Sequence, residues 1–306
     1  MSQNISTQLE TTQFTTNLEM RLAQHGSKLR GKVQEGFHVG KQASPVQYVG
    51  PVKAQRPQGR FAPLGRQDAD FMRRWVFPID SEINQMIDSF DLLKTIVNPQ
   101  SAYVTNAADA VGREWDDQII TAATADATIG EDASSFSTET FDTTKFRVAD
   151  TFGASAANGL SVAKLIETKR ILRHYENDLD TIPLTLVIGS QQESDLLNLV
   201  QVVSTEFNDR PVLVNGKVKQ FLGFDIVVME RLPTYTSNRR GVLAFSKNAL
   251  YLGIWKDTTN DASQRKDLSG LPWQLYTSFS SAATRLEPGK LIQISCVDST
   301  GAAITP

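Results

Sequence analysis

The sequence has one cysteine, Cys296, and only three histidines, His25, His38 and His174, in 306 residues. A lone cysteine excludes an internal disulfide and fits a reducing compartment such as the cytoplasm. Scattered histidines, with neither H-E-x-x-H nor E-x-x-H, exclude the common helical metal patterns. No apolar run approaches the ~18 residues of a membrane-spanning helix. The start, MSQNISTQLETTQFTT, lacks the basic head and apolar stretch of a secretion signal, so Asn4-Ile5-Ser6 is a chance sequon. A net charge of −3 gives no global basic field for nucleic acid. The expectation is a soluble cytoplasmic product without membrane contact. A 40% hydrophobic content is enough for one large domain or two ordinary ones.

Residues 1–35 are polar, with a helical stretch near Thr16–Leu29, and carry too few large apolar groups for a core. They read as an arm that docks elsewhere. In residues 36–80, Gly36, Gly40, Gly50, Gly59 and Gly65 alternate with Pro45, Pro51, Pro57 and Pro63 around short extended pieces, Val46–Val49 and Arg73–Phe77. That punctuation gives turns and strands, and its length exceeds an ordinary connection, so a protruding β-hairpin loop is expected. Glu82–Phe90 reads as a short helix. Asn98-Pro99 then opens a long one, with Asn as N-cap and Pro in the first turn. Val104, Ala107, Ala108, Val111, Trp115, Ile119 and Ala122 make an apolar stripe over about Pro99 to Thr124, roughly 40 Å at 1.5 Å per residue. The expected buried core of this helix is Val104, Val111, Trp115 and Ile119.

Residues 125–150 read as a polar loop with one or two exposed strands. Ser161–Glu176 is an amphipathic helix presenting Val162, Leu165, Ile166, Ile171, Leu172 and Tyr175. Leu184–Ile188 is a buried strand, followed by a helix across Gln191–Val200. Asn215-Gly216 between β-branched runs signals a two-residue hairpin. Strands at Asp225–Met229, Val242–Phe245, Leu250–Ile254, Gln274–Phe279 and Leu291–Cys296 complete an α+β chain without internal repeats.

Three stretches invite a chemical reading. Asp109, Glu114, Asp116 and Asp117 surround Arg113 on the long helix. Residues three or four apart share a face, so Arg113 with Asp109, Asp116 and Asp117 is expected to form an ion-pair ladder away from the apolar stripe. Glu114 and Asp117 could share a metal, but no histidine lies near in sequence. GSKLRGKV, residues 26–33, places Gly26, Gly31 and Lys32 as a phosphate loop would, yet Val33 offers no hydroxyl and no strand precedes it. FGASAANG, residues 152–159, is a loose nucleophile elbow without its last glycine or a histidine partner. The structural reading is favoured each time, and the chain is not expected to be an enzyme or to hold a metal or cofactor.

Charge is unevenly placed. Residues 38–75 carry seven cations (Lys41, Lys53, Arg56, Arg60, Arg66, Arg73, Arg74) against Asp68 and Asp70, net +5, whereas residues 126–150 carry six carboxylates against Lys145 and Arg147, net −4. Complementary segments in one chain point to copies meeting each other. The expected contacts are Lys53, Arg56, Arg60 and Arg66 on one copy with Glu131 and Asp132 on the next. The alternative is a nucleic-acid-binding segment at 38–75.

The order of pieces resembles the major capsid protein of tailed double-stranded DNA bacteriophages, the Hong Kong 97-like fold. The segments are AQHGSKLRGKV, RRWVFPID, the helix through NPQSAYVTNAADAVGREWDDQIITAAT, LSVAKLIETKRILRHYEND with IPLTLVIGSQQESDLL, GKVKQFLGFDIVVMERLP with AFSKNALYLGIW, and SAATRLEPGKLIQISC. The resemblance implies an arm at 1–35, an extended loop at 36–80, and a peripheral domain at 81–150 with a spine helix. It further implies an axial domain over about 151–240 and return strands at 241–306. It also implies hexamers and pentamers in an icosahedral shell around packaged double-stranded DNA, a portal protein and, given the short arm, a separate scaffolding protein. Some members cross-link through a loop lysine; Lys41 and Lys53 lie in that region, without a residue-by-residue match. A nanocompartment shell of the same fold is the alternative within the resemblance.

Overall fold

The computed structural model describes residues 24–50, 52–54, 56, 59, 68–69, 71–87, 100–132, 134–199, 213–214, 217–235 and 238–298. Strands β1 (Gln34–Phe37), β2 (Gln47–Val49), β3 (Phe71–Trp75) and β4 (Ile79–Ile87) precede the long helix α1 (Gln100–Thr124). Strands β5 (Ala127–Gly130), β6 (Ser137–Glu139) and β7 (Arg147–Val148) follow, then α2 (Val162–His174), β8 (Leu184–Ile188) and α3 (Ser190–Leu197). The rest is almost all strand: β9 (Leu213–Val214), β10 (Lys217–Val218), β11 (Gln220–Phe221), β12 (Phe224–Val228), β13 (Thr234–Tyr235), β14 (Arg239–Ser246), β15 (Leu250–Gln264), β16 (Trp273–Arg285) and β17 (Leu291–Val297).

The chain divides into two compact units. One comprises Met1–Ser27, Asp80–Arg113 and Lys256–Phe279; the other comprises Lys28–Ile79, Glu114–Trp255 and Ser280–Pro306. The second holds the main core, a sheet ordered β11-β12-β8-β14-β17-β7 with β13 also on β14. Its pairings mix directions: β12 runs parallel to β8 and β7 parallel to β17, while β14 is antiparallel to both β8 and β17. All five residues of β8, Leu-Thr-Leu-Val-Ile, are buried. A short run of branched apolar residues suits a strand covered on both faces. Helix α2 packs on β17. Ser161 starts it by accepting the Lys164 amide, and Arg173 and His174 sit in its last turn, where cations suit the helix dipole. Leu165 and Leu172 are buried as expected, but Ile166 is exposed. Lys164 is also fully buried, and its ammonium donates to the carbonyls of Asn158, Gly159 and Ser295 at 2.9, 2.9 and 3.0 Å. Three carbonyls use its three donors, which is how a buried lysine is tolerated; burial still pulls its pKa down.

In the first unit, polar side chains link the sheet segments. Tyr276 donates to Glu82 and Gln274 to Asn84, at 2.9 and 3.0 Å. This is where the sequence reading fails: residues 82–87, expected as helix, belong to strand β4, which lies beside β16 in the order β1-β15-β16-β4. The side chains of β4 alternate between half-buried and exposed from Ser81 to Met86, the period of a strand. Ile83, Met86 and Ile87 imitate a helical stripe, and the neighbouring strand overrides it. Residues 88–90, Asn98-Pro99 and the turn Asn215-Gly216 lie outside the described residues, although Val214 and Lys217 on either side of that turn do pair antiparallel.

Candidate subunit-contact surfaces

Segment 24–33 runs against α1, and the helix carboxylates explain how. Within the first unit, Asp109 accepts the Gly26 amide at 2.9 Å and contacts His25 Nδ1 at 2.7 Å. Arg113 Nη1 donates to the Gln24 carbonyl at 3.0 Å. Gly112 allows the approach: a Cβ built there would lie 2.4 Å from the Gly26 carbonyl carbon. Burial opposes ionisation of Asp109, but hydrogen bonds from His25 and the Gly26 amide, with the charges of His25 and Arg113, hold its carboxyl below the usual range. Within the second unit, Asp116 is fully buried and accepts the amides of Lys28 and Leu29, both at 3.0 Å. Arg30 lies over the Trp115 ring at 4.4 Å, and Asp117 pairs with Arg231.

The expected ladder along α1 is therefore corrected. Its carboxylates face three different destinations, because a chain segment more than eighty residues upstream supplies amides that a same-helix cation cannot match. The expected helix over Thr16–Leu29 is corrected in its described part. Residues 24–29 are irregular, Gly26 has φ +60°, and their amides bond to carboxylates instead of helical carbonyls. Residues 1–23 lie outside the described residues. A histidine does reach the acidic cluster, His25 at Asp109, but among the described residues no group of acidic, histidine or cysteine side chains is placed to hold a metal. The phosphate-loop look-alike is a docked turn: Leu29 and Val33 are buried with Ile119, Ile120 and Ala123, and Lys32 pairs with Asp225 at 3.1 Å.

Of the expected helix core, Val111, Trp115 and Ile119 are buried, while Val104 is 44% exposed. The stripe is continuous in sequence, but its burial is not.

The basic and acidic segments meet inside one chain. Strands β2, β3, β5 and β6 form one antiparallel sheet in that order, so the stem of the 36–80 segment lies beside 127–139. Arg74, 3% exposed, pairs with Glu139 and donates to the Leu286 carbonyl at 2.6 Å. Arg285, fully buried, donates to the carbonyls of Ala123 and Ala125 at the end of α1 and of Glu139, at 3.1, 2.9 and 3.1 Å. Arg74 thus has a partner in its own chain, where the charge pattern pointed to copies meeting each other. Lys53, Arg56, Glu131 and Asp132 are exposed, and the structure does not bring Lys53 or Arg56 into an ion pair with a described residue. Arg60 and Arg66 lie outside the described residues. Sequence reasoning missed Arg285, Asp116 and Lys164 as fixing points; the one available signal was a charge inside an otherwise apolar or small-residue run, as in SSAATRLEP.

No helix among the described residues is long and apolar enough to cross a membrane. A chain that fixes a long helix, an upstream segment seated on it and several sheets has the makings of a building block. The family comparison agrees: the model of the phage capsid protein family matches residues 5–298, and the chain belongs to that family. It is a structural capsid protein of the virion shell, not an enzyme. Its fold is similar to the capsid of cyanophage P-SCSP1u, with a TM-score of 0.72, 15% identity, and 95% of this chain and 94% of that chain covered. Cyanophage Pam1 capsid gives 0.70 at 9% identity, covering 96% and 98%, and the capsid of Ralstonia phage GP4 gives 0.66 at 10%, covering 96% and 97%. No curated protein sequence matches the chain.

Proposed function

We propose that the chain is the major capsid protein of a tailed phage, assembling as hexamers and pentamers into an icosahedral shell that encloses packaged double-stranded DNA. The observation that carries this is the match of fold along nearly the whole length of known capsid subunits. In this reading α1 is the spine helix, the segment about 36–80 is an extended loop, residues about 151–240 are the axial domain, and residues 1–35 are an arm. A separate scaffolding protein and a portal protein are the expected partners, and assembly takes place in the host cytoplasm. The exposed Lys53 and Arg56, with Arg60 and Arg66, meet acidic groups of an adjacent subunit, Glu131 and Asp132 among them. Individual exposed pairs are worth only ~0.2–1 kcal/mol, but a shell repeats each one in every subunit.

The test is the size and content of particles formed by the expressed chain, with and without a scaffolding partner, by negative-stain microscopy and sedimentation. Closed shells, and nuclease-protected DNA in particles isolated from infected cells, are expected. A monomer or dimer with steeply salt-dependent DNA affinity would overturn the proposal in favour of nucleic-acid binding through 38–75. Shells that enclose protein cargo would identify a nanocompartment.

A further inference from the structure

Among the described residues, the two faces of the β2-β3-β5-β6 sheet differ: one holds an internal charge pair, with Met72 42% exposed on it, and the other holds unpaired charge beside exposed apolar side chains. Directly paired residues of antiparallel strands share a face, and the faces alternate along each strand. Tyr48, Met72, Arg74 and Ile129 therefore lie on one side, and Val49, Gln47, Phe71, Arg73, Trp75, Thr128 and Gly130 on the other. The first side carries the Arg74–Glu139 pair. On the second, Phe136 stacks edge-on to Trp75 at 5.7 Å and Phe77 to Phe136 at 5.4 Å, yet Val49 and Phe71 remain 59% and 53% exposed. Gln47, Phe71, Arg73 and Glu131 line a depression of about 320 Å³. Neither Arg73 nor Glu131 forms an ion pair with a described residue.

We infer that this face is a two-fold contact between copies of the chain, in which Arg73 of each copy meets Glu131 of the other. The inference rests on the proposed shell function and names one of its subunit contacts. Exposed aromatic and aliphatic groups flanked by one cation and one anion suit a partner with the same pattern turned through a half rotation, because an isologous contact pairs each group with its complement twice. A nucleic acid fits poorly: phosphates would meet Glu131 as well as Arg73, and polyanion sites carry one sign. The rotation axis passes between Arg73 and Glu131. Arg73 and Glu131 flank that axis, so each also lies near its own equivalent, whereas Gln47 is a full strand further out.

Self-encounter makes the contact testable with one cysteine. The natural Cys296 is fully buried, and burial pushes its thiol up to about 12, so it does not react in the folded chain. Particles assembled from Arg73→Cys, and separately from Glu131→Cys, are treated with a short bifunctional maleimide and run on a denaturing gel. Conversion of most monomer to a dimer band in either variant is expected. Arg73→Glu creates two like-charge contacts per pair and should lower particle yield on the order of tenfold, with Arg73→Glu plus Glu131→Arg restoring it. Particles that form from both cysteine variants without any dimer band would overturn the contact while leaving the shell function standing. So would an Arg73→Glu chain that assembles like the parent, and loss of DNA binding by that chain would assign the face to nucleic acid. A parent chain that makes no particles would overturn the shell function, and cross-linked dimers in solution would still support the contact.

Discussion

The centre of the seven-stranded sheet and the seat of segment 24–33 on α1 hold the chain by opposite means. In the sheet, Leu186, Ile188, Phe245, Ile292 and Ile294 are wholly buried, and no single atom among them decides the outcome. On α1, the position of the upstream segment depends on a few oxygens of Asp109 and Asp116 meeting particular amides. Apolar burial scales with area and is indifferent to the direction of approach. A carboxylate bonded to backbone amides is directional and strong only while it is charged. The sheet therefore fixes the subunit itself, and the α1 seat fixes a particular stretch of chain to it.

The largest expected effect belongs to the sheet. Phe245→Ala should cost ~3–5 kcal/mol, read as a lower midpoint in denaturant with loss of expressed soluble subunit. A much smaller cost would show that the sheet is not the folding core. Next comes Asp116→Asn, which keeps the shape and removes only the charge and one acceptor. Hydrogen bonds to a charged group contribute ~1.5–3 kcal/mol, and an amide nitrogen facing a donor adds to the loss. Hydrogen exchange should show faster exchange of the Lys28 and Leu29 amides with the β8 amides unchanged. If both regions loosened together, the division of labour drawn above would be wrong. The smallest effect is Asp117→Asn, one residue along: its pair with Arg231 is about one-third exposed on each side, and such pairs are worth under ~1 kcal/mol. Thermal melts of the two asparagine variants side by side should rank Asp116 well above Asp117, and equal melts would erase the contrast.

Much of this architecture was legible in the sequence, and its gaps have identifiable causes. Helix α1 announced itself through a stripe from Ala107 to Ile119, and β8 through a branched run, apolar except for Thr185, bounded by Pro183 and Gly189. These are local patterns, and local patterns survive without knowledge of partners. Residues 82–87 were misread because Ile83, Met86 and Ile87 fit both periods, and only the presence of β16 alongside decides between them. Val104 fits the stripe but is left uncovered, which depends on what lies opposite and not on spacing. The carboxylates of α1 were read as neighbours of Arg113 because helix geometry was the only geometry available. The true partners of Asp109, Asp116 and Asp117 are separated from them by more than eighty residues of sequence, and nothing in composition marks such a pairing. The net +5 and −4 segments were correctly seen as complementary in sign, but the structure shows that part of this complementarity is spent within one chain, at Arg74 and Glu139.

Gly112 gives this arrangement a final consequence. Glycine is about 1 kcal/mol worse than alanine inside a helix, so by the standards of helix formation alone position 112 is a defect. The backbone of Gly26 and Ser27 occupies the space where a Cβ would be, at 2.4 and 2.6 Å. A single methyl group would make the helix intrinsically better and close the berth, whatever sequence the upstream segment carried. Two physical demands thus oppose each other at one carbon: the helix alone would favour a methyl group there, and the close seat of the upstream segment leaves no room for one.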